Sequence, residues 1–294
     1  MKVPAQCQRC LKTTIWASFY AALFLTFFKT MVGFSGGSRA MLGSALYSFT
    51  DLLSATLVIV GSRISPRPAD KDHPYGHGKV EHVISLGIGL IIAVSTVSLI
   101  ALSTLTLWRI DATALPHWIA IWSSLACFFL SMIVYRLVRC AAEQSNSPAL
   151  EAHAHHVFTD STSNLVVIVA VLVGEAGFKE ADSIIAILEG LQILYECVGM
   201  IRAACGHLMD KALPILQTGA VREFLLRNPA VLDVGDIKGK HVGRGISYDV
   251  EVIFEGERSI SECNAIVREL ERSMAGQVAH LHSVFIHYHP VREV

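Results

Sequence analysis

The chain has 294 residues, a formal net charge of −1, 52% hydrophobic and only 17% charged residues, and a mean hydropathy of +0.49. Globular proteins carry roughly 25% charged residues, so this balance excludes a disordered chain and argues against a single soluble domain. Residues 1–205 hold 27 Asp, Glu, Lys and Arg while the 89 residues 206–294 hold 22, which reads as a membrane part followed by a soluble part; the near-zero net charge gives no sign of nucleic-acid binding.

A spanning helix needs about 20 mostly apolar residues, and six stretches qualify after a cytoplasmic N-terminal segment, residues 1–12. The first runs from about Thr13 to Phe34 and is broken by Lys29. The second lies between Arg39 and Arg63 with Asp51 as its one charge. The third, between Glu81 and Arg109, and the fourth, between Asp111 and Arg136, carry no internal charge. The fifth, between Glu151 and Glu175, holds Asp160 alone, and the sixth, from about Ala181 to Cys205, carries Glu189 and Glu196. With the N-terminus inside, the inner loops offer Lys2, Arg9, Lys12, Arg63, Arg67, Lys71, Lys79, Arg136 and Arg139, against Arg39, Arg109 and Lys179 outside. That bias places both termini and the loop from Ser65 to Lys79 in the cytoplasm.

Residues 206–294 read differently. Pro214 to Asn228 suits an amphipathic helix, and Val231 to Lys240 a strand ending at Gly239. Ile246, Tyr248, Val250, Val252 and Phe254 alternate on one strand face. Ser259-x-x-Glu262 is a capping-box signature that opens a helix to about Met274, and His282 to His289 is a last strand. The order αββαβ predicts a two-layer α+β domain. The fold class is therefore an all-α six-helix membrane domain, residues 13–205, followed by a cytoplasmic α+β domain, residues 206–294. Seven cysteines in no framework spacing predict no disulfide scaffold. The first apolar run lacks a small-residue cleavage site and reads as a span, not a signal peptide.

A formal charge inside a span is costly and usually functional. Tyr47 and Asp51 are i and i+4, as are His156 and Asp160, so each pair shares a helix face. One pair alone would also serve as a polar packing contact. Two carboxylates in separate spans, each with a partner at helical spacing, point to a divalent-cation site, to which imidazole adds a nitrogen suited to iron, zinc or nickel. Tyr47 is the odd member, because a phenol of pKa about 10 is a poor ligand while protonated; a hydrogen bond to Asp51 or to a bound water is its other role. In the loop Arg67-Pro68-Ala69-Asp70-Lys71-Asp72-His73-Pro74-Tyr75-Gly76-His77-Gly78-Lys79, Pro and Gly make turns that let Asp70, Asp72, His73 and His77 converge. In the soluble part His287 and His289 share a strand face, and Asp249 and Glu251 share the polar face of an earlier strand. A solvated rim is the other reading of these residues, and His241 and His282 have no evident partners.

The combination of Tyr47-x-x-x-Asp51, the RPAD-x-DHPYGHGK-x-E loop and His156-x-x-x-Asp160 resembles the cation diffusion facilitator family: dimeric six-span divalent-metal/proton antiporters with a cytoplasmic αββαβ domain. Tyr47 in place of the usual first ligand, Cys7-x-x-Cys10, Asn146-Ser147-Pro148 and Gly206-His207-Leu208-Met209-Asp210 resemble its magnetosome-associated branch, which is linked to iron loading. The resemblance implies a transport site of Tyr47, Asp51, His156 and Asp160, a loop site of Asp70, His73 and His77, and a dimer-locking pair of Lys79 and Asp210. It further implies cytoplasmic-domain ligands at Asp249 and His287, with His289 beside them; Asn264 stands where relatives of this branch have His. Cys7-x-x-Cys10 lacks a second Cys/His pair, so no closed zinc site is indicated. Glu189 and Glu196, i and i+7, suit a dimer cavity, proton movement or the membrane boundary.

The implied activity is export of a divalent cation, iron(II) first and zinc or manganese second, in exchange for protons. The implied setting is a bacterial inner or magnetosome membrane, as a homodimer or as a heterodimer with a paralogue. The rival reading is a scaffold or partner subunit for a paralogous transporter. No GxxxxGK[ST], HExxH or nucleophile elbow is present, so neither an ATP site nor an enzyme is expected.

Overall fold

A formal charge in a spanning helix is costly unless it faces other helices, and Lys29, Asp51 and Asp160 are all buried among the N-terminal helices. The computed structural model describes residues 5–35, 39–108, 117–175, 181–278 and 280–291. Six long helices come first: α1 (Ala5–Ser35), α2 (Arg39–Ile64), α3 (Val80–Trp108), α4 (His117–Ser145), α5 (Pro148–Glu175) and α6 (Ala181–Leu208). Three described stretches are long and apolar enough to cross a membrane on composition alone: Thr13–Met31, Val80–Leu105 and Ile121–Ser145. The helix α1 corrects one expectation: it is unbroken at Lys29. It begins at Ala5, ahead of the apolar stretch that starts at Thr13, so Cys7 and Cys10 lie on it, with side chains outside the described residues.

The amphipathicity of α1 is that of a membrane helix. Tyr20, Phe24, Phe27 and Met31 line an outward stripe, while Thr14, Ser18, Ala22, Leu25 and Lys29 form the buried one. On α5 the buried stripe is His153, His156, Asp160 and Asn164, spaced by three or four residues. The helix α5 packs against α2, α3 and α4, and α1 packs against α2 and α4, so both polar stripes face the interior. Small residues permit close approach where α3 meets α6: a Cβ at Gly190 would lie 2.6 Å from Ile100 Cγ1, and one at Gly89 3.0 Å from Ile201 Cγ1.

The chain divides into two compact units at Cys205/Gly206. The second unit contains α7 (Ile215–Leu226), β1 (Asp233–Val242), β2 (Gly245–Phe254), α8 (Ile260–Gln277) and β3 (Leu281–Pro290), the αββαβ order read from the sequence. The sheet order is β1-β2-β3, with β2 antiparallel to β1 and parallel to β3. Parallel neighbours need a crossover, which α8 supplies. Its capping box is complete: the Ser259 hydroxyl accepts from the Glu262 amide and the Glu262 carboxylate accepts from the Ser259 amide, which holds the Glu262 carboxyl below its ordinary range. Both helices cover one face of the sheet. Val221 and Leu225 of α7 and Cys263, Val267, Leu270 and Met274 of α8 bury Tyr248, Val250, Val252 and Phe254. Gly239 does not end β1, which continues to Val242; its bare backbone admits Leu213, whose Cδ1 would lie 2.5 Å from a Cβ there.

Two predictions concern this unit. Met274 is fully buried, and Met274→Ala is expected to cost about 2–5 kcal/mol in urea unfolding of a 206–294 fragment, from lost burial and the cavity left behind. His241 stacks edge-on against His207 at 4.8 Å between ring centroids. Burial first, and the neighbouring imidazole second, lower the His241 pKa below the ordinary 6.5. A lowered histidine stabilises the fold above its unfolded value, and that contribution is lost as pH falls below 6.5 toward the folded value. The melting midpoint of the fragment should drop through this window, and His241→Phe should flatten the drop.

Candidate metal-transport site

The transport-site residues expected on α2 and α5 meet inside the helical unit. His156 Nε2 lies 3.0 Å from Asp51 Oδ1, with side-chain exposures of 0% and 6%, and 3.3 Å from Thr50 Oγ1. Asp160, one turn along α5, is also buried. Its Oδ2 accepts from the Ser131 hydroxyl of α4 at 3.3 Å, and the Asn164 amide donates to its main-chain oxygen at 2.6 Å. A small cavity lined by Ser18, Asp51, Ser131 and Val157 opens beside these groups. Asp51 and His156 are in direct contact across α2 and α5, with Asp160 one turn away on α5; carboxylate and imidazole are donors suited to a divalent first-row cation. Tyr47 lies on α2 one turn before Asp51, but its side chain is outside the described residues.

Two residues complete the site that the sequence reading passed over. Lys29 of α1 is buried with its Nζ 3.5 Å from Asp160 Oδ1. Its signal was the one that singled out Asp51: a sole formal charge within a span. His153, three residues before His156, is hydrogen-bonded through Nε2 to Ser18 Oγ of α1 and through Nδ1 to Ser54 Oγ of α2, each at 2.7 Å; since the Ser54 hydroxyl donates to the Asp51 main-chain oxygen, Nδ1 donates to Ser54 and Nε2 accepts from Ser18. Both ring nitrogens are thus taken by neighbouring helices, and His153 is a cross-link, not a ligand.

The loop residues Asp70, His73 and His77 also converge, with one ligand atom from each within 4.8 Å of the others. Asp70 Oδ1 and Oδ2 stand 3.4 Å from His73 Nδ1 and His77 Nε2. The cause is local. The Asp70 carboxylate accepts the amides of His73 at 2.7 Å and Asp72 at 3.1 Å, a turn typical of Asp. Gly76 then supplies the left-handed φ of 81° that brings His77 back. The His73 amide, helped by the two imidazoles, holds the Asp70 carboxyl below its ordinary range. Asp72 joins the turn only through its backbone.

Glu81, the last residue of the loop motif, is buried and accepts the Ser147 hydroxyl, tying the start of α3 to the start of α5. Asn146 before it adopts a φ of 50°. Asp210, with a φ of 58°, pairs with Lys240 at 3.1 Å inside its own unit, and Lys79 immediately precedes α3. On α6, Glu196 Oε2 lies 3.5 Å from His155 Nε2; the Glu189 side chain is outside the described residues.

In the second unit a cleft of about 270 Å³ is lined by Asp236, Lys238, Asp249, Glu251, His287 and His289. His287 Nε2 lies 2.9 Å from Asp249 Oδ1. The expected Asp249, His287 and His289 therefore share one open face. Asp236 and Lys238 were missed because strict alternation from the buried Val234 would turn them inward. A bulge between Val234 and Ile237 reverses that parity. Asn264 lies over the other face of the sheet, where its Oδ1 accepts from the Tyr288 hydroxyl at 3.3 Å, away from the carboxylates. His241 meets His207 instead of the cleft.

Comparison with known proteins identifies both units. Residues 15–209 match the cation efflux transmembrane domain, and residues 214–291 match the cytoplasmic domain of cation efflux proteins. The chain is 30% identical to the putative transporter MamV of Paramagnetospirillum magneticum over 98% of its own length and 86% of the relative's. It is 28% identical to the magnetosome protein MamM of Magnetospirillum gryphiswaldense over 95% and 88%. To the manganese efflux system protein MneS of Bacillus subtilis it is 26% identical, over 94% of each chain. With both domains matched and the carboxylate and imidazole donors gathered in the helical one, the chain belongs to the cation diffusion facilitator family and is similar to its MamM/MamB-type, magnetosome-associated branch.

Proposed function

We propose that this chain exports a divalent metal cation from the cytoplasm in exchange for protons, with iron(II) as the favoured substrate. The observation that carries the reading is the buried meeting of Asp51 and His156 across two helices, with Asp160 one turn further along α5. In the inward-open state the two carboxylates and the neutral imidazole take the ion. Rocking of the helices turns the site outward. Protons then displace the metal, because carboxylate and imidazole hold metal only when deprotonated. Tyr47 occupies the fourth place in this proposal. Iron is favoured in this reading because the chain is similar to proteins named as magnetosome proteins; manganese is the second substrate, supported by the likeness to a protein named for manganese efflux, and zinc has the same donor preferences.

The working unit in this proposal is a dimer in the bacterial inner membrane or a magnetosome membrane, with both termini cytoplasmic. The match to the family's cytoplasmic dimerisation domain supports the dimer, and Lys79 and Asp210 are assigned as its membrane-proximal lock. Asp70, His73 and His77 form a loop station for the same metal. Asp249, His287 and His289 form a regulatory site at which bound metal draws the two cytoplasmic domains together. Such a switch works only through a difference in affinity between the open and closed pairs.

Two experiments test this function. In vesicles containing the purified protein, Asp51→Ala and Asp160→Ala should reduce uptake driven by a pH gradient to the leak rate. Undiminished uptake in both variants overturns the site, and competition among iron(II), zinc and manganese identifies the substrate. For the cytoplasmic domain, Asp249→Ala with His287→Ala should weaken metal binding by at least about tenfold, since even outer-shell changes cost that much. Interdomain distances by spin labelling should then stop responding to metal; an unchanged response rejects the regulatory site.

A further inference from the structure

The proposed cycle uses Asp51, His156 and Asp160 and leaves Lys29 without a part, although the Lys29 side chain is only 2% exposed and stands 3.5 Å from Asp160 Oδ1. We infer that Lys29 is a tethered cation: it neutralises Asp160 while the site is empty, and the incoming divalent ion must displace it. This inference rests on the assignment of Asp160 as a transport ligand.

The charge count shows why. Two carboxylates and a neutral imidazole carry two negative charges and cancel a divalent ion. With the Lys29 ammonium in place the same groups carry one, and the occupied site would be left with an excess positive charge. Like charges a few ångströms apart in a poorly polarisable interior repel strongly. Metal and ammonium therefore compete for Asp160. The remaining contacts of Asp160 are arranged for such an exchange: Ser131 donates to Oδ2 at 3.3 Å and leaves Oδ1 to Lys29. Lys29 comes from α1, which packs against α2 and α4, so its withdrawal from Asp160 links metal arrival to a third helix beyond the two that carry the ligands. Lys29 is a positioning residue in this scheme. It weakens metal binding, speeds release, and gives Asp160 a partner whenever the site is empty and that carboxylate is ionised, when an unpaired buried charge would be costly.

The test is the metal dependence of uptake in vesicles containing the full-length protein, with iron(II), zinc and manganese each used as the probe. Lys29→Met and Lys29→Gln remove the charge at similar length, and Lys29→Arg keeps it. The expected result for either neutral variant recovered as folded protein is a split. The half-saturating metal concentration falls by at least about tenfold, the lower end of close charge-pair coupling, and the maximal rate falls as release slows. Lys29→Arg should stay near the wild-type half-saturation. A purely structural lysine would instead raise half-saturation on removal. A neutral variant with unchanged or raised half-saturation, or a Lys29→Arg protein that behaves like Lys29→Met, overturns the inference. Asp160→Asn separates the two assignments: wild-type uptake in that variant defeats the transport site itself, whatever Lys29 does.

Discussion

Holding Asp51, Asp160 and Lys29 away from water is the constraint that organises the helical unit. A lone charge in such surroundings is expensive, and it is tolerated when an opposite charge and well-placed hydrogen bonds stand beside it. Here Asp51 meets His156 and Asp160 meets Lys29, so the partners must arrive from α1, α2 and α5. That requirement brings the three helices together around one point. The hydroxyls of Ser18, Ser54 and Ser131 extend the polar interior and connect it to His153 and Asp160. The apolar residues are left for the outward stripe, as on α1 with Tyr20, Phe24, Phe27 and Met31.

The cytoplasmic unit solves the opposite problem with ordinary means. Its apolar face is buried under α7 and α8, and its second face is free to collect polar side chains. Alternation along β2 and β3 places Asp249, Glu251, His287 and His289 there. The bulge in β1 adds Asp236 and Lys238 by shifting the parity of one strand. A polar cleft thus costs the domain little packing, because its side chains lie on the face that the core does not need.

What could be read from the sequence follows from which interactions are local. The αββαβ order, the Ser259–Glu262 cap and the turn centred on Asp70 depend on residues a few positions apart, and all three are legible. Asp51 and Asp160 stood out as single charges in apolar spans. Lys29 met the same criterion but was read as an interruption, because a lysine at that depth acquires its meaning only from a carboxylate on another helix. His153 was silent for the same reason: its partners lie 135 and 99 residues away. Hydropathy marks where α1 becomes apolar, at Thr13, and is silent on where the helix begins, at Ala5. The β1 bulge was invisible, since an extra residue in a ladder changes the face of every later side chain without altering composition.

The two kinds of buried contact also divide the work of the site. His153 has both ring nitrogens occupied by hydroxyls from α1 and α2, and it ties those helices to α5 without offering a free lone pair to an ion. His156, one turn away, faces a carboxylate instead, and an imidazole so placed exchanges its partner for a metal at small structural cost. The proposed cycle uses both: fixed cross-links that keep donor atoms in register, and a carboxylate, Asp160, whose resting partner Lys29 is itself charged, so that binding there is a trade of one cation for another. A site built from unpartnered carboxylates would hold a divalent ion more tightly, whereas one in which Lys29 already pairs with Asp160 binds only the surplus. The same burial that makes these charges expensive therefore limits how firmly the cation is held.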